Sequence, residues 1–193
     1  MSTPVETPRR GTLESFEQEH RDRIAAADYG LSAFEQAILP HLWGDVLDLG
    51  CGLGILALAA AEQGCRVVAL DASPTAIGDL ARRARERGLA IEAHTADLRH
   101  YVPGAQYDCV VALGLLDQLA SGEARGLLAR LREALRPDGI AALSVIADAD
   151  PGRDELLRTF AGWQILVSTH QQAFAPDGEP RCVHILVARQ SRP

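Results

Sequence analysis

The stretch Val46-Leu47-Asp48-Leu49-Gly50-Cys51-Gly52-Leu53-Gly54 sets three glycines at alternate positions, between an apolar run and an alanine-rich segment. Glycine has no Cβ, so a ligand can come close to such a backbone, and a helix that follows offers it unpaired N–H groups. Three carboxylates accompany the loop. Asp48 stands two residues before its first glycine, Asp71 closes the next apolar run, and Asp97 follows the third in Thr95-Ala96-Asp97-Leu98. At a strand end, Asp71 can accept both hydroxyls of a ribose. Asp97 can accept the exocyclic amine of adenine while the Leu98 amide reads a ring nitrogen. Each acid also has a plainer reading, Asp71 as a helix cap beside Ser73-Pro74 and Asp97 as an ordinary loop acid.

Two ligand classes suit a glycine loop of this kind, a dinucleotide and S-adenosylmethionine. A pyrophosphate fingerprint wants glycine at the sixth position, where this chain has Ile55. Asp48 would be ill placed beside a pyrophosphate, yet it can order the loop and face the ammonium and sulfonium of a cationic ligand. The charge sign favours the methyl donor. A nicotinamide-dependent reductase and a non-catalytic S-adenosylmethionine-binding module remain the alternatives.

The elements that must position these groups follow from periodicity. Val46–Leu49, Arg66–Leu70, Ile91–Thr95, Asp108–Leu113 and Ile140–Ile146 read as buried strands. Helices are predicted over Ile55–Gln63, from Ser73 as N-cap with Pro74 at the first helical position to Gly88, and from near Glu123 through Leu135. Pro137-Asp138-Gly139 reads as the turn that ends the last of these. Such alternation predicts a doubly wound α/β fold, a parallel sheet with helices on both faces. A short helix Asp154–Phe160 and two β-rich runs, Trp163–Thr169 and Cys182–Ala188 joined by Pro176-Asp177-Gly178, read as an antiparallel hairpin at one edge. Residues 1–12 are expected to be a disordered tail, and 13–193 one domain whose first part, 13–42, is a helical lid.

With these motifs on the page, the chain resembles the Rossmann-like, class I S-adenosylmethionine-dependent methyltransferases over about residues 28–190. DLGCGLG, VVALDAS, TADL and LRPDG stand where that family has its motifs. It is also similar to the tellurite-resistance methyltransferases of the TehB type. That likeness rests on Tyr29-Gly30-Leu31-Ser32, on Glu155-Leu156-Leu157 with Gly162-Trp163, and on Leu186-Val187-Ala188-Arg189. The resemblance implies a mostly parallel seven-stranded sheet with the last strand antiparallel. It places cofactor contacts at Asp48, Gly50, Cys51, Gly52, Gly54, Asp71, Ala72, Asp97, Leu98 and Leu113.

The acceptor side is less defined. Leu113-Gly114-Leu115-Leu116-Asp117-Gln118-Leu119 follows the fourth strand, where this family places acceptor groups, so Asp117 and Gln118 are pocket residues, with a helix cap the alternative for Asp117. Tyr29 is a lid residue or an ordinary buried tyrosine, and Arg181 is the cation expected to meet an anionic acceptor. No His/Asp dyad is evident in the sequence, which suits a soft sulfur, selenium or tellurium nucleophile needing no strong base.

Composition narrows the rest. All 19 basic Lys+Arg residues are arginine, which excludes a P-loop lysine and amine-nucleophile chemistry. A net charge of −7 disfavours nucleic acid as a partner, and a small-molecule substrate is expected. The densest basic run, Arg82, Arg83, Arg85 and Arg87, reads as a solvated helix face. Cys51, Cys65, Cys109 and Cys182 have no zinc or redox spacing and read as reduced core thiols, and the six histidines have no ligand spacing. With no membrane-spanning run and no apolar leader, a cytoplasmic protein is expected.

Overall fold

The computed structural model describes residues 12–174 and 180–191. Seven strands form one sheet: β1 (Asp45–Leu49), β2 (Arg66–Asp71), β3 (Ile91–Thr95), β4 (Tyr107–Ala112), β5 (Leu135–Ile146), β6 (Gln164–Phe174) and β7 (Pro180–Arg189). Their order is β3-β2-β1-β4-β5-β7-β6. The pairs from β3 to β5 are parallel, and β7 runs antiparallel to both β5 and β6. The expected doubly wound, mostly parallel sheet is therefore present, with β7 slotted inside the edge strand β6. The order reverses between β1 and β4, and such a switch point opens a crevice at the carboxyl ends of the strands.

Alternation along the strands builds two cores. Leu47, Leu49, Val110 and Leu143 turn to one face, where they meet Leu127, Leu128 and Leu131 of α5 (Ser121–Glu133) and Leu156 of α6 (Arg153–Thr159). Val46, Val67 and Cys109 turn to the other, against α3 (Ile55–Glu62) and Leu80 and Ala84 of α4 (Pro74–Arg87). Each fully buried leucine is worth about 1.5–3 kcal/mol. The alanines of α3 let that helix lie close on the sheet, and six of its residues are buried.

Sharp local signals set the ends of α4. Ser73 Oγ accepts the Ala76 N–H at 3.0 Å, Pro74 fills the first turn, and Gly88 closes the helix at φ +64°. Ahead of the sheet stand α1 (Leu13–Ala25) and α2 (Ala33–Ile38), with α1 packed on α4. The expected disordered tail lies outside the described residues except Thr12, whose side chain caps α1.

Three expectations are corrected. Pro137-Asp138-Gly139 is not the turn between α5 and the following strand. That strand already begins at Leu135, paired with Tyr107, and the tripeptide is a bulge where the β4–β5 register shifts, with Asp138 at φ +66°. The basic run on α4 is not wholly solvated, because Arg83 is 4% exposed and enclosed by Asp79, Tyr29 and the Leu53 carbonyl. The hairpin link Pro176-Asp177-Gly178 lies outside the described residues. Among those described, no helix is long and apolar enough to cross a membrane. All four cysteines are free, with Cys65 and Cys109 buried, Cys51 partly so and Cys182 exposed rather than in the core.

Candidate active site

The glycine loop leaves β1 at the switch point and folds back over β2. The Gly50 and Cys51 amides donate to the Leu70 carbonyl at 2.8 and 3.1 Å. Gly50, Gly52 and Gly54 all have positive φ, +69°, +52° and +65°. Their surroundings differ. A Cβ on Gly54 would stand 2.5 Å from both terminal carbons of Leu80, so this glycine serves the packing of α3 on α4 and lies outside the cavity lining. A Cβ on Gly52 would stand 3.4 Å from His20 Nε2, and one on Gly50 3.1 Å from Leu115 Cβ.

Asp71 ties the loop to the start of α4. Its Oδ2 accepts the Gly52 N–H and its Oδ1 the Ser73 N–H, both at 2.8 Å. The helix-cap reading is thus partly met, although the capping hydroxyl itself comes from Ser73.

A cavity of about 730 Å³ opens over this loop, within the roughly 300–1,000 Å³ usual for small-molecule sites. Seven of the residues singled out in the sequence as cofactor contacts line it: Gly50, Gly52, Asp71, Ala72, Asp97, Leu98 and Leu113. Asp48, Cys51 and Gly54 do not. Burial first, then the carboxylates of Glu35 and Asp71, push Asp48 up to about 7. Burial also raises the Cys51 thiol well above its ordinary value, which makes it a poor nucleophile.

Of the residues expected on the acceptor side, Gln118 lines the cavity and the other three stand elsewhere. Tyr29 lies under Arg83 and packs on the small cluster of Leu53, Ile55 and Ala76. Asp117 neither lines the cavity nor caps α5. Its Oδ1 accepts the Ile146 N–H at 2.9 Å, and burial lifts it to about 6. Together with Ser144 Oγ, which accepts the Gly114 N–H at 2.9 Å, this bond fixes the segment after β4 on the end of β5. Arg181 lies on β7, outside the lining.

At the far wall, Asp97 is forked by Arg99, whose Nε lies 3.0 Å from each carboxylate oxygen. Those bonds hold Asp97 down to about 2. The opposite wall is α1, which contributes Leu13, Phe16, Glu19 and His20. Sequence reasoning missed these residues. The available signal was the spacing of Leu13, Phe16, His20 and Ile24, one stripe at helical period with a histidine in it. His20 is the one buried residue among those of α1, and its Nδ1 lies 3.1 Å from Ser73 Oγ.

Residues 46–139, which carry the loop, both strand-end acids and the segment after β4, match the family described as Methyltransferase domain. The match covers just under half of the chain. Among curated proteins, the chain is similar to the ubiquinone biosynthesis O-methyltransferase of Rickettsia canadensis (strain McKiel). The two are 29% identical over 102 residues, 53% of this chain and 42% of that protein. The chain thus spans less than half the length of this curated relative. The fold is that of TehB from Haemophilus influenzae, with a TM-score of 0.75 at 17% identity, covering 89% of this chain and 67% of that one. It is also that of the N-methyltransferase NodS from Bradyrhizobium japonicum WM9, solved in complex with S-adenosyl-L-homocysteine. That match has a TM-score of 0.69 at 16% identity and covers 92% of this chain and 99% of that one. The chain therefore shares the fold of these two proteins, with its cavity at the switch point.

Proposed function

We propose that the protein transfers a methyl group from S-adenosylmethionine to a small, partly apolar acceptor that is neutral or cationic. One observation carries this reading: the charged side chains around the glycine cradle are mostly carboxylates. Asp71, Asp97 and Glu19 line the cavity, and Arg99, the one arginine among the described residues that line it, is taken up by Asp97. Such a wall fits a ligand bearing hydroxyls, an amine and a sulfonium, and it suits a phosphate poorly.

In this reading Asp71 holds the ribose, Asp97 and the Leu98 amide hold the adenine, and the Gly50–Gly52 backbone lies along the amino-acid end with Asp48 behind it. The bound donor supplies an activated methyl on sulfur. The chain's own residues orient the acceptor and keep water from the methyl, which is the work of α1 over the cavity and of the segment fixed by Asp117 and Ser144. Leu13, Phe16, Leu115 and Leu119 give the acceptor an apolar surface. With Arg181 outside the lining, the cavity holds little to attract an oxyanion. The likeness to TehB is one of fold, and a tellurium or selenium oxyanion is the less favoured acceptor. A nicotinamide site is disfavoured by Ile55, which is buried beside Leu53 and Ala76 where that site needs a glycine.

The test begins with binding. S-adenosylhomocysteine at 100 times its Kd should raise stability by about 2.7 kcal/mol while NADH does not. A shift with NADH alone would overturn the donor assignment. A panel of apolar amines, phenols and thiols, run beside selenite and tellurite, then tests the acceptor class. Turnover confined to the oxyanions would overturn it.

A further inference from the structure

Resting on the donor assignment above, we infer that His20 of α1 is a donor-binding residue whose Nε2 accepts a hydrogen bond from a ribose hydroxyl, beside Asp71.

The argument begins at Ser73, which is fully buried. A hydroxyl has one proton to give and two lone pairs to receive with. The Ser73 proton goes to the Glu17 carboxylate, which this bond, more than any other, holds below the usual carboxylate range. One lone pair takes the Ala76 N–H at the start of α4. The second faces His20 Nδ1 at 3.1 Å, so the imidazole must be the donor there. In the neutral ring the proton therefore sits on Nδ1 and the free lone pair on Nε2.

That lone pair is on the side of the glycine loop, since Nε2 lies 3.4 Å from the place of a Gly52 Cβ. Gly52 and Ser73 are also the two residues whose amides hold Asp71. Imidazole and carboxylate are thus anchored on the same pair of residues and open on the same cavity. A vicinal diol brings two O–H donors, and this corner offers a carboxylate and an imidazole nitrogen to receive them. Because His20 belongs to α1, the bond also fastens the lid to the bound donor.

Calorimetric titration with S-adenosylhomocysteine and with its 2′-deoxy and 3′-deoxy analogues tests this on the full chain. His20→Asn keeps an amide near Nδ1 for Ser73, His20→Phe keeps the ring volume, and both lack the Nε2 lone pair. Either variant that melts like the native protein should bind S-adenosylhomocysteine about three- to tenfold more weakly. For one of the two hydroxyls, the affinity ratio between parent and deoxy compound should fall toward one. Ratios equal to those of the native chain for both hydroxyls would overturn the assignment. So would an unchanged Kd with a lowered kcat, which would make His20 a base toward the acceptor. Failure of the native chain to bind S-adenosylhomocysteine at all would instead overturn the donor reading beneath it.

Discussion

The guanidinium of Arg83 lies 4.1 Å from the centroid of the Tyr29 ring, so a residue of the segment between α1 and α2 is stacked on the middle of α4. The same guanidinium reaches Asp79 at 2.7 Å and donates to the Leu53 carbonyl beside the glycine loop. One buried cation thereby joins lid, loop and helix. Tyr29→Leu should cost about 0.5–2 kcal/mol through the lost cation–π contact. It should also speed proteolysis between α1 and α2. Arg83→Met leaves Asp79 with Arg82 alone, at 2.5 Å, and should cost more, about 2–4 kcal/mol by urea denaturation. Losses that simply add in the double variant would mean that the ring is not held by this cation.

Two of the loop glycines should respond differently to a methyl group. Gly54→Ala drives its Cβ into Leu80 at 2.5 Å as well as straining a left-handed residue. A loss of about 2–4 kcal/mol is expected. Gly52→Ala meets only the His20 ring, at 3.4 Å, so its stability should fall by about 1–2 kcal/mol from backbone strain while affinity for S-adenosylhomocysteine drops more than tenfold. Urea midpoints and titration calorimetry together check the pattern, and a Gly54→Ala protein as stable as the native one would refute it.

Asp48 makes stability fall as pH rises. Its carboxyl is lifted to about 7 by burial, against about 3.9 in an unfolded chain. The folded protein therefore holds the proton more tightly. The resulting stability is complete below about pH 4 and is lost as pH rises through about 7. Asp48→Asn removes that loss. Its gain over the native protein should grow from near zero at pH 4 to a ceiling of roughly 4 kcal/mol above pH 7. Denaturation curves at pH 4.5 and 8.5 measure the gap, which must widen with pH.

His184 has the opposite sign. It is fully buried on β7 with the His170 ring 4.6 Å away, and burial, then His170 and Arg153, hold its pKa below the ordinary value. The unfolded chain binds the proton more readily, so this stability is present above about pH 6.5 and is lost as pH falls below it. His184→Leu should flatten the decline between pH 7.5 and 5.5, followed by urea midpoint. A slope as steep as the native one would place the acid sensitivity elsewhere.

The sheet was legible because parallel strands buried on both faces read as unbroken apolar runs, as in Cys109–Ala112. Ser73, Pro74 and Gly88 were legible as stereochemical stops, and the strand-end acids as polar groups where such runs stop. What escaped depends on contacts across the chain. Nothing local marks Arg83 for burial among four arginines of one helix; Tyr29 and Asp79 enclose it only after folding. Pro137-Asp138-Gly139 has the composition of a turn, and only its pairing with β4 makes it a bulge. His20 and Ser73 are 53 residues apart, and their bond exists because α1 lies on α4. Asp117 looked like a site residue from its place after β4, yet its partner is a backbone amide on another strand.

The place of β7 between β5 and β6 constrains the order of assembly. As the chain emerges during synthesis, β6 precedes β7 but has no neighbour in the sheet except β7, and β5 keeps a bare hydrogen-bonding edge until the same strand arrives. The nascent protein thus presents an open β5 edge until residues 180–189 are made. It completes the sheet by threading one late segment between two earlier ones.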